Sequence, residues 1–495
     1  MKYMKHIKTG LAMLGIIAFT SCSSDYLETT PTGSVSEVTI STSLENIYMA
    51  LNGIHKEMVS QESGRQAFGG EPGFMGARDC EGDDVTWVTN TWLKTSHLGW
   101  EANLNEVATD NVLFWRVYYQ WILNANKVLE SLEIVENDDP ELFDQIKGEA
   151  LCIRAWAHFN VLQLYAQRYV PGSGNTHDGI PYRTNSAGGE LARSTVEETY
   201  RLINADLDEA IKLLAGMSPG VTHYSEKVAY GLRARTALAM HDYANAANYA
   251  GKAIALALED GNALMEGDQF MCGFVNITSD TKEAMYAART PDDKTVYFYS
   301  FYANWAWNFN ATAIRQGVKS INADTYDTMS ETDIRRAWWD PTGEMDVPAS
   351  NFVKNPYQNR KFTARSTSNA VGEVAFMRLA ELYLIQAEAL ARSGQDAAAQ
   401  DVFTKFQVTR DPSYVSKGNT GDALIEEIMN SRRVELWAEG FRFYDLKRLN
   451  QPIKRGRNFD IAFCTFVERE ADHPGWVWEI PRAETAYNPL CKKNH

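Results

Sequence analysis

The chain has 495 residues, with 64 Asp and Glu against 48 Lys and Arg, a formal charge of −16 and 44% apolar residues. A surface this acidic repels polyphosphate, which excludes nucleic acid as a ligand, while the apolar share is ample for a large core. Six cysteines with no CxxC or other close spacing, and nine scattered histidines, indicate neither a zinc site nor a disulfide framework; no metal and no cofactor are expected.

Lys2, Lys5 and Lys8 precede an apolar run from Leu11 to Phe19. Nine residues are too few to span a bilayer as a helix, which takes about 20. The run is therefore an export signal. It ends in Thr20-Ser21-Cys22, the form of a bacterial lipobox, so residues 1–21 are expected to be removed and Cys22 to be lipidated. Loss of the three lysines takes the formal charge to −19. Residues 22–42, polar and containing Pro31 and Gly33, read as a tether.

Helical periodicity begins near Ser43, where Leu44, Ile47, Tyr48, Leu51 and Ile54 share one face. Further helices are predicted over Trp115–Glu133, Phe143–Tyr169 and 195–215, the last with Thr195 and Glu198 as a capping box. Residues 225–258 form two helices joined at His241-Asp242. The second of these, with Ala246, Tyr249, Ala253 and Leu256, has the spacing of a tetratricopeptide helix. A second pair is predicted over 374–408 with Gly394 at its turn, and 422–449 adds another amphipathic stretch. The result is a mainly α chain of about four helix pairs. The scaffold segments are about 43–60, 115–258 and 374–449.

Between them, residues 62–112, 268–370 and 450–495 are rich in Gly, Asn, Asp, Trp and Tyr and show little helical period. They are too long for plain connections, so they are expected to build an irregular, loop-rich lobe upon the scaffold within a single domain, 43–495.

These residues carry a resemblance. The segment from Cys22 through Leu27-Glu28 to Pro31 resembles the start of the SusD/RagB-type nutrient-binding lipoproteins of Bacteroidetes, and so do residues 149–169 followed by Gly179-Ile180-Pro181-Tyr182. RLAELYLIQAEALARSG at 378–394, RRVELWAEGFRFYDLKRL at 432–449 and IPRAETAYNPL at 480–490 follow in the family's order. The resemblance implies four tetratricopeptide-like pairs and an irregular lobe that binds oligosaccharide, or peptide in a minority of members. It also implies a lipid-anchored place on the outer membrane, facing outward, and a lid-like role over a SusC-like TonB-dependent transporter. Ligand contacts in such proteins would fall here at about 74–100 and 290–340.

Within those stretches aromatic residues cluster. Trp87, Trp92 and Trp100 lie within fourteen residues, and Tyr297, Phe298, Tyr299, Phe301, Tyr302, Trp305, Trp307 and Phe309 within thirteen. Aromatic faces stack on the C–H faces of pyranose rings at small entropic cost. Trp87, Trp92, Tyr299, Trp305 and Trp307 are the predicted platform, with Arg78, Asp84 and Asn304 as hydrogen-bonding partners for hydroxyl groups.

No GxSxG, HExxH or Walker-type loop occurs. The adjacent acids Asp83-Asp84, Asp292-Asp293 and Glu426-Glu427 read as solvated rather than as a glycosidase pair. The charged run Arg432, Arg433, Glu435, Glu439, Arg442 and Asp445 reads as structural, a set of charge partners that fix this helix against the scaffold, with Glu435, Glu439 and Arg442 spaced to pair along it. The sequence thus predicts a non-catalytic capture protein for oligosaccharide. A peptide-capturing relative, or a repeat scaffold whose aromatics are all core, are the alternatives.

Overall fold

The computed structural model describes residues 41–62, 64–65, 68–86, 95–289 and 298–495. Helix α1 (Leu44–Glu57) starts where Ser43 Oγ accepts the Asn46 N–H, and it buries Leu44, Ile47, Leu51 and Ile54. Helix α2 (Glu71–Glu81) lies in a stretch expected to be irregular. All eleven of its residues are buried, including Glu71, Arg78, Asp79 and Glu81, so it has no polar face for periodicity to reveal.

Helix α3 (Thr109–Leu132) begins six residues before its predicted start. In its first turn the polar Asp110 and Asn111 are buried, and Asn111 Nδ2 donates to the Glu479 carbonyl at 2.9 Å. Helix α4 (Pro140–Tyr165) is capped by Asp139, with Pro140 at its first position, and ends four residues before the predicted Tyr169. Thr195 caps α5 (Val196–Leu213) as expected. Glu198 does not close a capping box; its carboxylate turns to Arg201, with both contacts at 2.7 Å. Helices α6 (Glu226–Ala239) and α7 (Tyr243–Glu259) form the predicted hairpin.

In the late scaffold, residues 373–378 are a strand rather than the start of a helix. Two short strands, Val85–Thr86 (β1) and Ala284–Arg289 (β2), precede it in the chain, followed by β3 (Ser320–Ile321), β4 (Trp339–Asp340) and β5 (Gln358–Asn359). Strand β6 (Glu373–Arg378) pairs antiparallel with β2, while β1, β3, β5 and β4 form a small sheet in that order. Helices α8 (Leu379–Arg392) and α9 (Asp396–Arg410) then turn at Gly394, and α10 (Gly421–Glu435) follows. The stretch predicted as one helix over 422–449 breaks after Glu435. Ala438 and Gly440 adopt positive φ, and α11 (Arg442–Arg448) starts anew. At Gly440, φ 88° and a Cβ position 2.9 Å from Met75 Cα leave room for glycine alone.

Helices α3 to α7 pack each on the next. Helix α8 packs on α7, on α9 and on α10, and α1 lies across α3 and α4. One apolar core joins Ile47 of α1, Trp121 of α3 and Tyr165 of α4 to Trp305, Trp338 and Trp478 of the intervening segments. Residues 450–495 pack into the same core: Trp478, fully buried, donates its backbone N–H to the Leu164 carbonyl at 2.9 Å. Cys80, Cys152, Cys272, Cys464 and Cys491 are all unbridged.

Candidate functional site

The aromatic segment after residue 297 sorts its side chains by a short helical turn. Ser300 Oγ accepts the Ala303 N–H at 3.1 Å and donates to the Ala370 carbonyl at 2.7 Å, which starts the turn Phe301–Trp305. All five residues of that turn point inward. Trp305 is 1% exposed; its ring stacks on Phe301 at 5.9 Å and meets Trp437 edge-on at 5.6 Å. Across from it, a Cβ on Gly76 would lie 2.4 Å from Trp305 Nε1, so that glycine is the floor of the tryptophan's pocket. Asn304 is buried as well, with its Nδ2 donating to the Ser300 carbonyl.

Ala306 is extended, and in the turn that follows it Trp307 comes to the surface half-buried. Its Nε1 donates to Thr363 Oγ1 at 3.0 Å and its backbone N–H to the Phe362 carbonyl, so the ring is fixed from behind. Tyr299 is also half-buried, over the backbone of Gly69, and its neighbour Phe298 is 40% exposed. Phe298, not singled out from the sequence, is the most open ring of this cluster among the described residues. Nothing in the local pattern distinguishes it from its buried neighbour Phe301.

Four predicted ligand residues thus require correction. Trp305 and Asn304 belong to the core. Arg78 is buried at the foot of α2, with Nη2 2.6 Å from Glu71 Oε1 and Nη1 donating to the Tyr118 hydroxyl at 2.7 Å. Asp84 is buried beneath Arg433, at 2.6 Å, and its carbonyl takes the Trp437 indole N–H. Trp100, too, is core, edge-on to Trp476 at 4.8 Å. Trp87, Trp92 and Cys22 lie outside the described residues, as do Asp292 and Asp293.

The acids Asp83 and Asp84 are not solvated as expected but neutralised. Arg442 Nε lies 2.6 Å from Asp83 Oδ1. Burial would raise the Asp83 carboxyl, yet Arg442 and Arg433 outweigh it and hold it below its ordinary range. A pair locked to two guanidiniums and closed to solvent has neither the proton nor the access that a glycosidase acid needs.

The charged run after Arg432 serves the junction of lobe and scaffold, not one helix. Arg378 reaches Glu283 at 2.6 Å, Glu435 at 2.8 Å and Glu439 at 2.7 Å. Arg410 shares Glu283 and Glu435, Arg335 bridges Glu435 to Asp333, and Lys361 takes Glu439 at 2.7 Å. All eight groups are buried, and four cations balance four carboxylates. Burial opposes ionisation of Glu435, but Arg410, Arg378 and Arg335 hold it far below the usual carboxylate range. The expected pairing of Glu439 with Arg442 is not made.

A family model described as SusD family matches residues 155–491, and another described as starch-binding, associating with the outer membrane, matches residues 25–238. The first spans more than half of the chain. The protein belongs to the SusD family. A curated relative, SusD-like protein P38 of Formosa agariphila, is 21% identical over 92% of this chain and 93% of its own. A solved SusD-like carbohydrate-binding protein from Bacteroides vulgatus superposes with a TM-score of 0.78 at 22% identity, covering 91% of this chain and 97% of the other. A laminarin-binding SusD-like protein gives a TM-score of 0.67 at 17% identity, with 92% and 99% covered. Surface glycan-binding protein A from Bacteroides fluxus gives 0.67 at 18%, with 90% and 97% covered. These structures share the SusD fold, a helical-repeat scaffold with an irregular lobe, and the family is one of carbohydrate binding in association with the outer membrane.

Proposed function

We propose that this SusD-family protein captures oligosaccharide at the cell surface, without cleaving it, and hands it to a SusC-like TonB-dependent transporter in the same membrane. The observation that carries the reading is the surfacing of Phe298, Tyr299 and Trp307 from a lobe whose other described tryptophans are almost all buried. The Trp307 ring, held from behind by Thr363, offers a stacking face that loses little entropy on binding. Trp87 and Trp92 are proposed as further parts of the platform on the adjoining segment. Lipidation at Cys22, with residues 22–42 as tether, supplies the anchor, and 43–495 is taken as one domain. Among the described residues no helix is long and apolar enough to cross a membrane. Laminarin, the ligand of one laminarin-binding structural relative, is a natural first member of a ligand panel.

Affinity electrophoresis and calorimetry of the domain from residue 23 onward, against a panel of polysaccharides and peptides, test the proposal. Retardation by at least one polysaccharide, with no release of reducing sugar, is expected. Retention of peptides alone, or sugar release, would overturn it.

A further inference from the structure

Three side chains far apart in the sequence meet on the flank of the scaffold. His55 comes from α1, Glu149 from α4 and His223 from the loop that leads into α6, and one ligand atom of each lies within 4.8 Å of the others. Glu149 Oε2 is 3.0 Å from His55 Nε2 and 3.1 Å from His223 Nδ1. The two imidazole rings stand edge to face, 5.0 Å apart, so that their nitrogens converge on the same carboxylate oxygen. We propose that His55, Glu149 and His223 form a binding site for a zinc-type divalent cation, a function distinct from glycan capture.

Two imidazole nitrogens and one carboxylate oxygen are a donor set that zinc takes in preference to calcium or magnesium, whose shells are all oxygen. The spacing fits as well. With metal bonds of about 2.0–2.1 Å, tetrahedral ligands stand roughly 3.3 Å apart, so the two carboxylate contacts need to open by only a few tenths of an ångström, while the two imidazole nitrogens, within 4.8 Å of each other, draw together around the ion. The cation would take the place of the imidazole protons that now face Glu149.

The surroundings are built as those of a metal site are. The outer nitrogen of each histidine is held by a tyrosine: His55 Nδ1 lies 3.0 Å from the Tyr286 hydroxyl, and His223 Nε2 lies 3.4 Å from that of Tyr48. Such outer partners orient ligating imidazoles and set which nitrogen carries the proton. Glu149 itself is fully buried and fixed at both oxygens, Oε1 by Gln145 Nε2 at 2.9 Å and Oε2 by the Tyr224 N–H at 3.1 Å. The histidine side chains keep 11% and 14% of their surface, which leaves a way in and an outer position for water. Bound there, the metal would clamp α1 to α4 and to the entrance of α6. Separations of 94 and 74 residues explain why no sequence spacing betrays the site.

The test uses the chain from residue 23 onward, freed of metal by chelation and dialysis. Zinc is titrated calorimetrically, and cobalt(II) is followed by its visible absorption. One equivalent of zinc, a four-coordinate cobalt spectrum and a zinc-dependent rise in melting temperature are expected. His223→Ala, at a partly exposed loop position, should weaken zinc at least about tenfold, and Tyr48→Phe, which leaves all three ligands in place, should weaken it less. No saturable zinc binding, or equal binding by wild type and His223→Ala, would overturn the proposal. Should that variant fail to fold, X-ray absorption at the zinc edge of the wild-type complex decides alone. Two imidazoles with oxygen are expected; a sulfur ligand, or fewer than two imidazoles, would refute the site.

Discussion

Trp305 and Trp307 stand two residues apart and have opposite fates. One turn of helix and a serine cap put the first in the core and the second on the surface. Replacing Trp305 by alanine should therefore destabilise the fold by about 3–5 kcal/mol, read from urea unfolding. Trp307→Ala should leave the unfolding midpoint near that of wild type and cost about 1–2 kcal/mol of glycan affinity, a factor of about 5–30, read by calorimetry. Equal stability losses in both would sink the assignment of Trp307 to the surface. Composition identified the cluster but not its inside from its outside, because the deciding partners, Gly76 and Trp437, lie more than a hundred residues away in either direction. The same distance hid Asp84, whose partner Arg433 is 349 positions on. His97 offers a pH test at this scale. Burial works against its charge, but Asp110 and Glu81, whose Oε1 is 2.7 Å away, raise it to about 9 from 6.5. The folded state favours the imidazolium, so this stabilisation is complete below about pH 6.5 and fades as the pH climbs through 9. Thermal melts across that window should fall more steeply for wild type than for His97→Gln.

Among the elements, those with an apolar stripe and a polar back were legible: α5 and the α6–α7 hairpin appear within a residue or two of their predicted bounds, and α1 starts one residue after Ser43. Helix α2 was not, since a helix wrapped on every side by protein has no stripe, and its buried charges mimic a polar loop. In 422–449 the charges do fix the segment against its surroundings, but the helix they sit on breaks after Glu435, because their partners lie in the lobe as well as the scaffold. The packing of α2 yields its own prediction. Gly76→Ala would push a methyl group into the Trp305 indole, and overpacking of this kind costs about 1–3 kcal/mol. A lower melting temperature with unchanged glycan affinity is the expected result. A loss of affinity without a loss of stability would mean that Trp305 reaches ligand after all.

The whole molecule is held at one place more than at any other. Arg335, Lys361, Arg378 and Arg410 meet Asp333, Glu283, Glu435 and Glu439 where lobe and scaffold join. Removing one partner leaves an uncompensated buried charge, so Glu435→Ala should cost about 3–5 kcal/mol in equilibrium unfolding. High salt should alter the wild-type value little, since buried pairs are poorly screened. A cost below about 1 kcal/mol would show that water reaches the junction.

A junction of this kind also bears on motion. With a shared apolar core and eight interlocked charges, bending lobe against scaffold would strip several ions of their partners at once. If the protein serves as a lid, it moves as one body, and the proposed tether at residues 22–42 is the strap that joins it to the membrane. Shortening that strap should then slow uptake of a bound glycan by cells while leaving its affinity for the isolated protein as it was.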